Sequence, residues 1–405
     1  MASVPLRRNR DFVLLQSGQL LSNIGTQSTT IAYPLLVLAL THSAAKAGIV
    51  GFARAVPAAL FLMPAGIAAD RFNRRRLMIA ADAVRVVAIG GLAAMILVGR
   101  PVFWVVPLVA FVEGSGAALF AGAQAGALRA VVPSRQLPAA AGAQTGRQAA
   151  VQLAGPPVGG ALFGIRRVVP FVFDAGSYAF STLSLLAMRT PFQEARIRDD
   201  SSLRSRLAEG FHFLWTQPFL RTCAFLFGLG NFIGPGLLFA IVVIGRRQGL
   251  SSAEIGLLTA AFGASVLIGS FVAPLVRRVP ARTVLLLELW TGLAVAAFLV
   301  WPNVYVLTAA MVPTALVIPS TDSIVHGYRI AMTPDRLLGR SESVRATISL
   351  SIAPLGPLVA GFMLGLTSAR ATIALFVGVA LVLALWGTLS PSIRAAPSLN
   401  ELETR

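Results

Sequence analysis

Charge is the scarcest commodity in this sequence. Only 12% of its 405 residues are Asp, Glu, Lys or Arg, against about 25% in a soluble domain. The 56% hydrophobic content and a mean hydropathy of +0.76 put the chain in the membrane class. One cysteine, Cys223, excludes an intrachain disulfide. One lysine, Lys46, leaves arginine to carry almost all of the positive charge. The three histidines, His42, His212 and His326, are too scattered for a metal centre, so no metal and no cofactor is expected. HExxH, GxSxG and P-loop patterns are all missing. That argues against hydrolytic chemistry and against transport driven by ATP. The formal charge of +18 does not point to nucleic acid, because the arginines lie between apolar runs and form no basic domain.

Long apolar runs are what the sequence has instead. A span needs about 20 mostly apolar residues. Twelve such runs are expected, at 12–40, 47–69, 77–98, 102–130, 138–163, 168–189, 219–244, 253–276, 283–301, 304–328, 341–366 and 370–390. The first follows Arg7, Arg8 and Arg10 and is too long for a signal-peptide core. It reads as a membrane helix that stays. With a cytoplasmic N-terminus, the inner segments hold 23 arginines and the outer ones 7 basic residues, so both termini are expected inside. The longest polar interval, Thr190 to Arg221, places Leu203, Leu207, Phe211 and Leu214 at helical spacing. It reads as a linker, 190–218, whose amphipathic helix lies along the cytoplasmic face between two halves, 1–189 and 219–405.

The halves look like repeats. Pro133, Arg135, Gly155, Pro156, Gly160 and Gly164 match Pro334, Arg336, Gly356, Pro357, Gly361 and Gly365 at a constant offset of 201. Asn23 and Gly48 match Asn231 and Gly256 at 208. Matches in chain order point to a duplicated six-helix unit.

One loop breaks the apolar pattern sharply: "PAGIAADRFNRRRLMIAAD", with Gly66, Asp70, Arg71, Arg74 and Arg75. It resembles the signature between the second and third helices of the major facilitator superfamily, whose layout is twelve spans in two repeats joined by a long cytoplasmic loop. That resemblance implies that Asp70 and the arginines form a charge-and-dipole latch against neighbouring helix ends, stabilising an outward-open state. A topology anchor alone would account for the arginines but not for Asp70. Asn73 stands where the family pattern has a second glycine, and a left-handed backbone is expected there. The fifth span, "GAQTGRQAAVQLAGPPVGG", resembles the superfamily's antiporter signature through Gly142, Gly155, Pro156, Gly159 and Gly160, with Val151 where a glycine is usual. The resemblance implies drug/proton exchange rather than uptake, and tight helix packing is the other reading of the same glycines. Three stretches, "AGIAADRFNRRRLMIAADAVR", "LAEGFHFLWTQPFLR" and "TPDRLLGRSESV", resemble the enterobactin-exporter and macrolide-efflux branch of that family.

Polar residues within the spans are candidates for the chemistry. Gln16, Gln19, Asn23, Gln27 and Thr30 form a stripe on the first span that faces either a substrate cavity or other helices. Asn231, beside Gly230 and the Gly234–Gly236 segment, marks a gate in the seventh. Among the ionisable residues, Asp82 with Arg85, Glu288, and Glu342 with Arg345 read as structural. Asp174 is expected to pair with Arg166 or Arg167. Glu113 lies about 16 Å along its helix with apolar neighbours and no basic residue one turn away. A carboxylate set alone among apolar residues of a span is the arrangement expected of a proton carrier. Asp322 and His326, with Arg329 on the same face, form the second candidate. A structural ion pair is the alternative at either place.

The expected protein is therefore an all-α, twelve-helix exporter in a bacterial cytoplasmic membrane, in two pseudo-symmetric six-helix bundles. It would exchange protons for a small organic molecule by rocker-switch alternating access and work as a monomer. Proton-coupled uptake and a non-transporting receptor are the rivals. The orientation is testable directly: Ser202→Cys, in a Cys223→Ala background, should resist an impermeant thiol reagent applied to intact cells. Efficient labelling would invert the topology.

Overall fold

A computed structural model of the chain describes residues 5–190, 192, 203–276 and 279–395. Residues 193–202 of the linker, with Arg196 and Arg198, lie outside the described residues, as do Arg277, Arg278 and Arg405. Every regular element among the described residues is helical. Among the described residues, eleven helical segments are long and apolar enough to cross a membrane, and two of them, Ala281–Val300 and Ser341–Leu366, run over more than one α-helix. The twelfth expected span is helix α5, Leu137–Ile165, of 29 residues. Its central turns carry Gln144, Thr145, Arg147, Gln148 and Gln152, which is why its composition stands apart from the others.

Helix ends follow local chemistry. Helix α1, Arg10–Thr41, closes on His42, whose backbone is left-handed (φ 54°) and whose N–H donates to the Leu38 carbonyl. Ser43 then caps α2, Ala44–Arg71, by accepting from the Lys46 N–H. Asn73 departs from expectation. Its φ of −63° and ψ of 115° are extended, and its side chain accepts from the Arg76 N–H as the cap of α3, Arg74–Leu97. The residue is an N-cap rather than a stand-in for a left-handed glycine, and Asn is among the best residues for that position.

The chain divides into two compact units. The first comprises 1–198 and 249–260, with α1 to α6; α4 is Val105–Val131 and α6 is Val169–Ala187. Its apolar core gathers Phe12, Leu15, Met78, Phe120 and Leu185. The second comprises 199–248 and 261–405. It holds α7 (Leu203–Thr216), α8 (Pro218–Arg247) and α10 (Ala281–Thr291). After α10 comes a 3-10 stretch, Gly292–Ala296, and then α11 (Ala297–Val300). The unit continues with α12 (Val304–Met332), α13 (Asp335–Ile352), α14 (Leu355–Leu366), α15 (Ala369–Leu389) and α16 (Pro391–Arg394). Helix α9, Ser252–Val272, begins in the first unit and ends in the second. Leu214 of α7 enters the core of the second unit with Phe219 and Tyr328, while Phe211 and Trp215 stack on each other, half-exposed. That is the amphipathic behaviour expected of the linker helix.

The glycines of α5 are contact points. A methyl group at Gly159 would stand 2.5 Å from the Ser28 carbonyl oxygen of α1, and one at Gly256 would stand 2.6 Å from the Pro156 carbonyl oxygen. A methyl at Gly155 would strike Gln27, and one at Gly160 would strike the Ser252 carbonyl and Gly256. The motif thus seats α5 against α1 on one side and against the segment 249–260 on the other, at backbone-to-backbone range. Gly164 has nothing within 4 Å of such a methyl. Gly159→Val should therefore destabilise the purified protein by about 1–3 kcal/mol through overpacking. Gly164→Val should change it by less than about 0.5 kcal/mol. Thermal unfolding in detergent compares them, and equal melting temperatures would remove the packing role from Gly159.

Candidate functional site

The arginine loop is built from both neighbouring helices. Asp70 at the end of α2 pairs with Arg74 at 3.7 Å. Arg74 is buried: its Nε donates to the Ala69 carbonyl, and its guanidinium lies where a side chain on Gly126 of α4 would otherwise sit. Arg75 reaches α6. Its Nε donates to the Leu185 carbonyl (2.8 Å) and its Nη2 to the Leu186 carbonyl (2.7 Å). These carbonyls lie at the C-terminal end of a helix, where a cation meets the negative end of the macrodipole. Asp11 of α1 accepts from the Arg189 and Thr190 N–H groups just beyond the same helix end. Gly66 is half-buried, and Arg71 is exposed.

Deeper in the same unit lies a buried polar network that no single stretch of sequence announces. Glu113 of α4 is 1% exposed and is not alone. Arg54 of α2 donates to its Oε1 at 3.1 Å and also to the Thr26 carbonyl of α1 at 3.0 Å. Gly114 makes this possible, because any side chain there would strike the Arg54 backbone carbonyl. The Tyr178 hydroxyl of α6 lies 3.4 Å from Glu113 Oε1 and 2.6 Å from Thr26 Oγ1. Arg85 of α3 sits 4.3 Å from the centroid of the Tyr178 ring and pairs with Asp82 at 2.5 Å. Asp174 of α6, fully buried, accepts from Thr29 Oγ1 at 3.0 Å and Ser177 Oγ at 3.3 Å. A side chain at Gly25 would collide with Asp174 and Ser177, so glycine lets α1 lie directly over them.

Two expectations change here. The isolated carboxylate at Glu113 is an ion pair, because the basic partner comes from another helix rather than from one turn away. Asp174 does not reach Arg166 or Arg167, which are exposed; it faces α1. The α6 positions Asp174, Ser177, Tyr178, Ser181 and Ser184 recur at helical spacing, and that stripe is the signal that could have found it. Three carboxylates, Asp82, Glu113 and Asp174, thus share the network with two guanidiniums, Arg54 and Arg85. Both of its arginines are held by the other two acids, and Asp174 receives hydroxyl groups.

The polar stripe of α1 does not act as one surface. Gln19 is buried, and its Oε1 accepts from both Gln124 of α4 and Arg147 of α5. Gln16, Asn23 and Gln27 are half-buried, and Thr30 is exposed. In the second unit, Asn231 of α8 donates to the Ser349 carbonyl of α13 at 3.0 Å. Glu342 pairs with Arg345 (2.7 Å) and with Arg329, which also bonds to His326 Nδ1. Arg329 therefore turns to α13 rather than to Asp322. Asp322 and His326 are both exposed. Glu288 is half-buried, with its Oε2 lacking a hydrogen-bond partner.

The profile of the Major Facilitator Superfamily matches residues 16–287, more than half of the chain. The multidrug efflux pump Tap of Mycobacterium tuberculosis is 27% identical over 409 residues, covering 96% of this chain and 94% of that protein. The Tap pump of Mycolicibacterium fortuitum is 25% identical over 422 residues, covering 96% and 97%. Among solved structures, a bacterial homologue of the human lysosomal transporter Spinster, inward-facing and unoccupied, superposes with a TM-score of 0.76 at 18% identity, over 96% of this chain and 98% of that one. A bacterial homologue of the iron transporter ferroportin, inward-facing, gives 0.72 at 16% identity, over 99% and 100%. The last two likenesses are of fold alone. The fold and the relatives are those of membrane transporters, not enzymes.

The network makes a stability prediction. Arg54→Gln leaves a carboxylate buried without its cation, which should cost about 3–5 kcal/mol, whereas replacing both partners with leucine should recover most of that loss. Melting temperatures in detergent read both. If Arg54→Gln melts like the wild type, the pair carries no structural weight.

Proposed function

Because the chain belongs to the major facilitator superfamily, we propose that it exports a small organic molecule across a bacterial cytoplasmic membrane in exchange for protons, by rocker-switch alternation of its two six-helix halves. In this reading the halves are 1–189 and 219–405, joined by the cytoplasmic linker 190–218, with both termini inside and the chain acting as a monomer. The efflux direction is supported by the relatives named multidrug efflux pumps and by the glycine motif of α5. Placement in the enterobactin-exporter and macrolide-efflux branch rests on the three sequence stretches alone.

The observation that carries proton coupling is the excess of one acid in the buried network of the first unit. An uncompensated charge within a bilayer is expensive. The dry network therefore keeps a proton, and releases it when water reaches the site from one side. Glu113 and Asp174 are the two carboxylates of that proton, with the Tyr178 and Thr26 hydroxyls between α4, α6 and α1 as relay groups. Glu113 Oε2 is buried without a hydrogen-bond partner, so it can accept a proton without breaking its bond to Arg54. Asp322 and His326, exposed and outside this network, are secondary candidates. The arginine loop serves as the latch of the outward-open state through Arg75 on the α6 carbonyls and Asp70 on Arg74. The half-buried Gln16, Asn23, Gln27 and Asn231 belong to the substrate path, together with Gln19.

Purified protein in liposomes tests the coupling, with ethidium as the transported probe. The wild type should drive ethidium uphill on a pH gradient and stop when a protonophore is added. Glu113→Gln keeps an acceptor for Arg54 and mimics the protonated acid. It should retain downhill ethidium exchange and lose uphill transport, and Asp174→Asn should behave alike. Uphill transport at the wild-type rate in both variants would move the coupling to Asp322.

A further inference from the structure

Arg147 of α5 is a buried charge of the first unit that the exchange of protons does not use. It is 8% exposed, and among the described residues its side chain bonds to the neutral Gln19 and to no carboxylate. The three cations nearest in kind all have other arrangements: Arg54 has Glu113, Arg85 has Asp82, and Arg74 has Asp70. Arg147 Nε is buried without an acceptor, and so is Gln19 Nε2. Two buried N–H donors and a full positive charge thus stand on one hydrogen-bonded pair, joined by Gln124 from α4.

A buried guanidinium without a carboxylate is strongly destabilising. Intramembrane ions held at such cost mark substrate or ion pathways. The open face of α5, turned about 100–160° around the helix from Arg147, is polar rather than lipid-like. Thr145, Gln148 and Gln152 are exposed, and a methyl group placed on Gly142 or Gly146 would meet nothing within 4 Å. Lipid does not favour such a polar face. Arg147 sits about 15 Å into a helix roughly 43 Å long, well inside the span and away from either end.

The geometry points to an anion-binding subsite at Arg147, in which the guanidinium and the Gln19 amide take a carboxylate or similarly charged oxygen group of the transported molecule. The inference rests on the reading of the chain as an exporter of small organic molecules, and it adds compounds bearing an acidic group to the cations, such as ethidium, that the exporter carries in that reading. A planar guanidinium suits a carboxylate because two parallel N–H bonds can form. Asp82, Glu113 and Asp174 belong to the other network, and the fourth buried acid of the unit, Asp11, accepts from the Arg189 and Thr190 N–H groups, so all four leave this pair alone.

The test uses the purified full chain in detergent and two dyes of one xanthene core, anionic fluorescein and cationic rhodamine 6G, followed by fluorescence polarisation. The wild type should bind fluorescein, and benzoate should displace it while benzylamine does not. Arg147→Gln should weaken fluorescein by roughly ten- to a hundredfold, the loss of one charge-assisted contact, and leave rhodamine 6G unchanged. Arg147→Lys, which keeps the charge but not the paired N–H geometry, should fall between. No fluorescein binding to the wild type, unchanged fluorescein binding in Arg147→Gln, or equal loss of both dyes would each overturn the subsite. The export reading fails separately, if the wild type moves no ethidium on a pH gradient while its Arg147-dependent binding of fluorescein persists.

Discussion

A charge inside a bilayer is costly unless another meets it, and the buried network of the first unit is arranged around that constraint. Glu113 and Arg54 come from helices that meet because Gly114 removes a side chain from their crossing. Once α2 and α4 are held there, Arg54 can also cap the Thr26 carbonyl, which draws in α1. Thr26 meets Tyr178, which draws in α6, and the face of Tyr178 receives Arg85 from α3. Five helices are thereby tied to one ion pair. Hydrophobic packing cannot supply this specificity, since lipid is as apolar as a leucine side chain. Polar contacts and close glycine crossings decide which helices meet.

The second unit solves the same problem with less burial. Glu342 takes two arginines, and both Asp322 and His326 remain exposed. The repeat seen in the sequence therefore preserves the helix pattern without preserving the buried chemistry. Asn23 and Asn231 align in sequence, yet Asn231 is spent on a carbonyl of α13, while Asn23 is half-buried in a stripe whose neighbour Gln19 meets an arginine. The asymmetry supports assigning proton and substrate roles mainly to the first unit.

Much of this architecture is legible in the sequence. Apolar run length locates the helices, because spanning length is a local property. The arginine loop and the α5 glycines stand out because their spacing along the chain is short. Partner choice is different. Glu113 and Arg54 are 59 positions apart, and nothing in either neighbourhood names the other. A search for a basic residue one turn away looks along one helix, whereas the partner arrives from the side. Asp174 misleads for the same reason: Arg166 and Arg167 are close in sequence, but the α6 stripe points towards Gly25 and Thr29. Asn73 fits the family pattern of a left-handed position, and the competing role of helix N-cap prevails.

Helix α6 joins the two features that the sequence presents separately. Its middle carries Asp174 and Tyr178, and its end carbonyls, on Leu185 and Leu186, hold Arg75 of the arginine loop. Twelve residues separate Asp174 from Leu186, about 18 Å of rigid helix. Asp11 fixes the chain just past that end through the Thr190 N–H. In the proposed cycle, a change of charge at Asp174 alters how α6 sits against Gly25 and Thr29. A helix passes such a tilt to its end without bending, so the same change is felt at the carbonyls that Arg75 grips. The latch and the proton site then need no separate signal between them. In that reading both lie on one helix, Asp174 within it and the carbonyls that hold Arg75 at its end, and the arginine loop occupies its place in the sequence because α2 and α3 turn beside the end of α6.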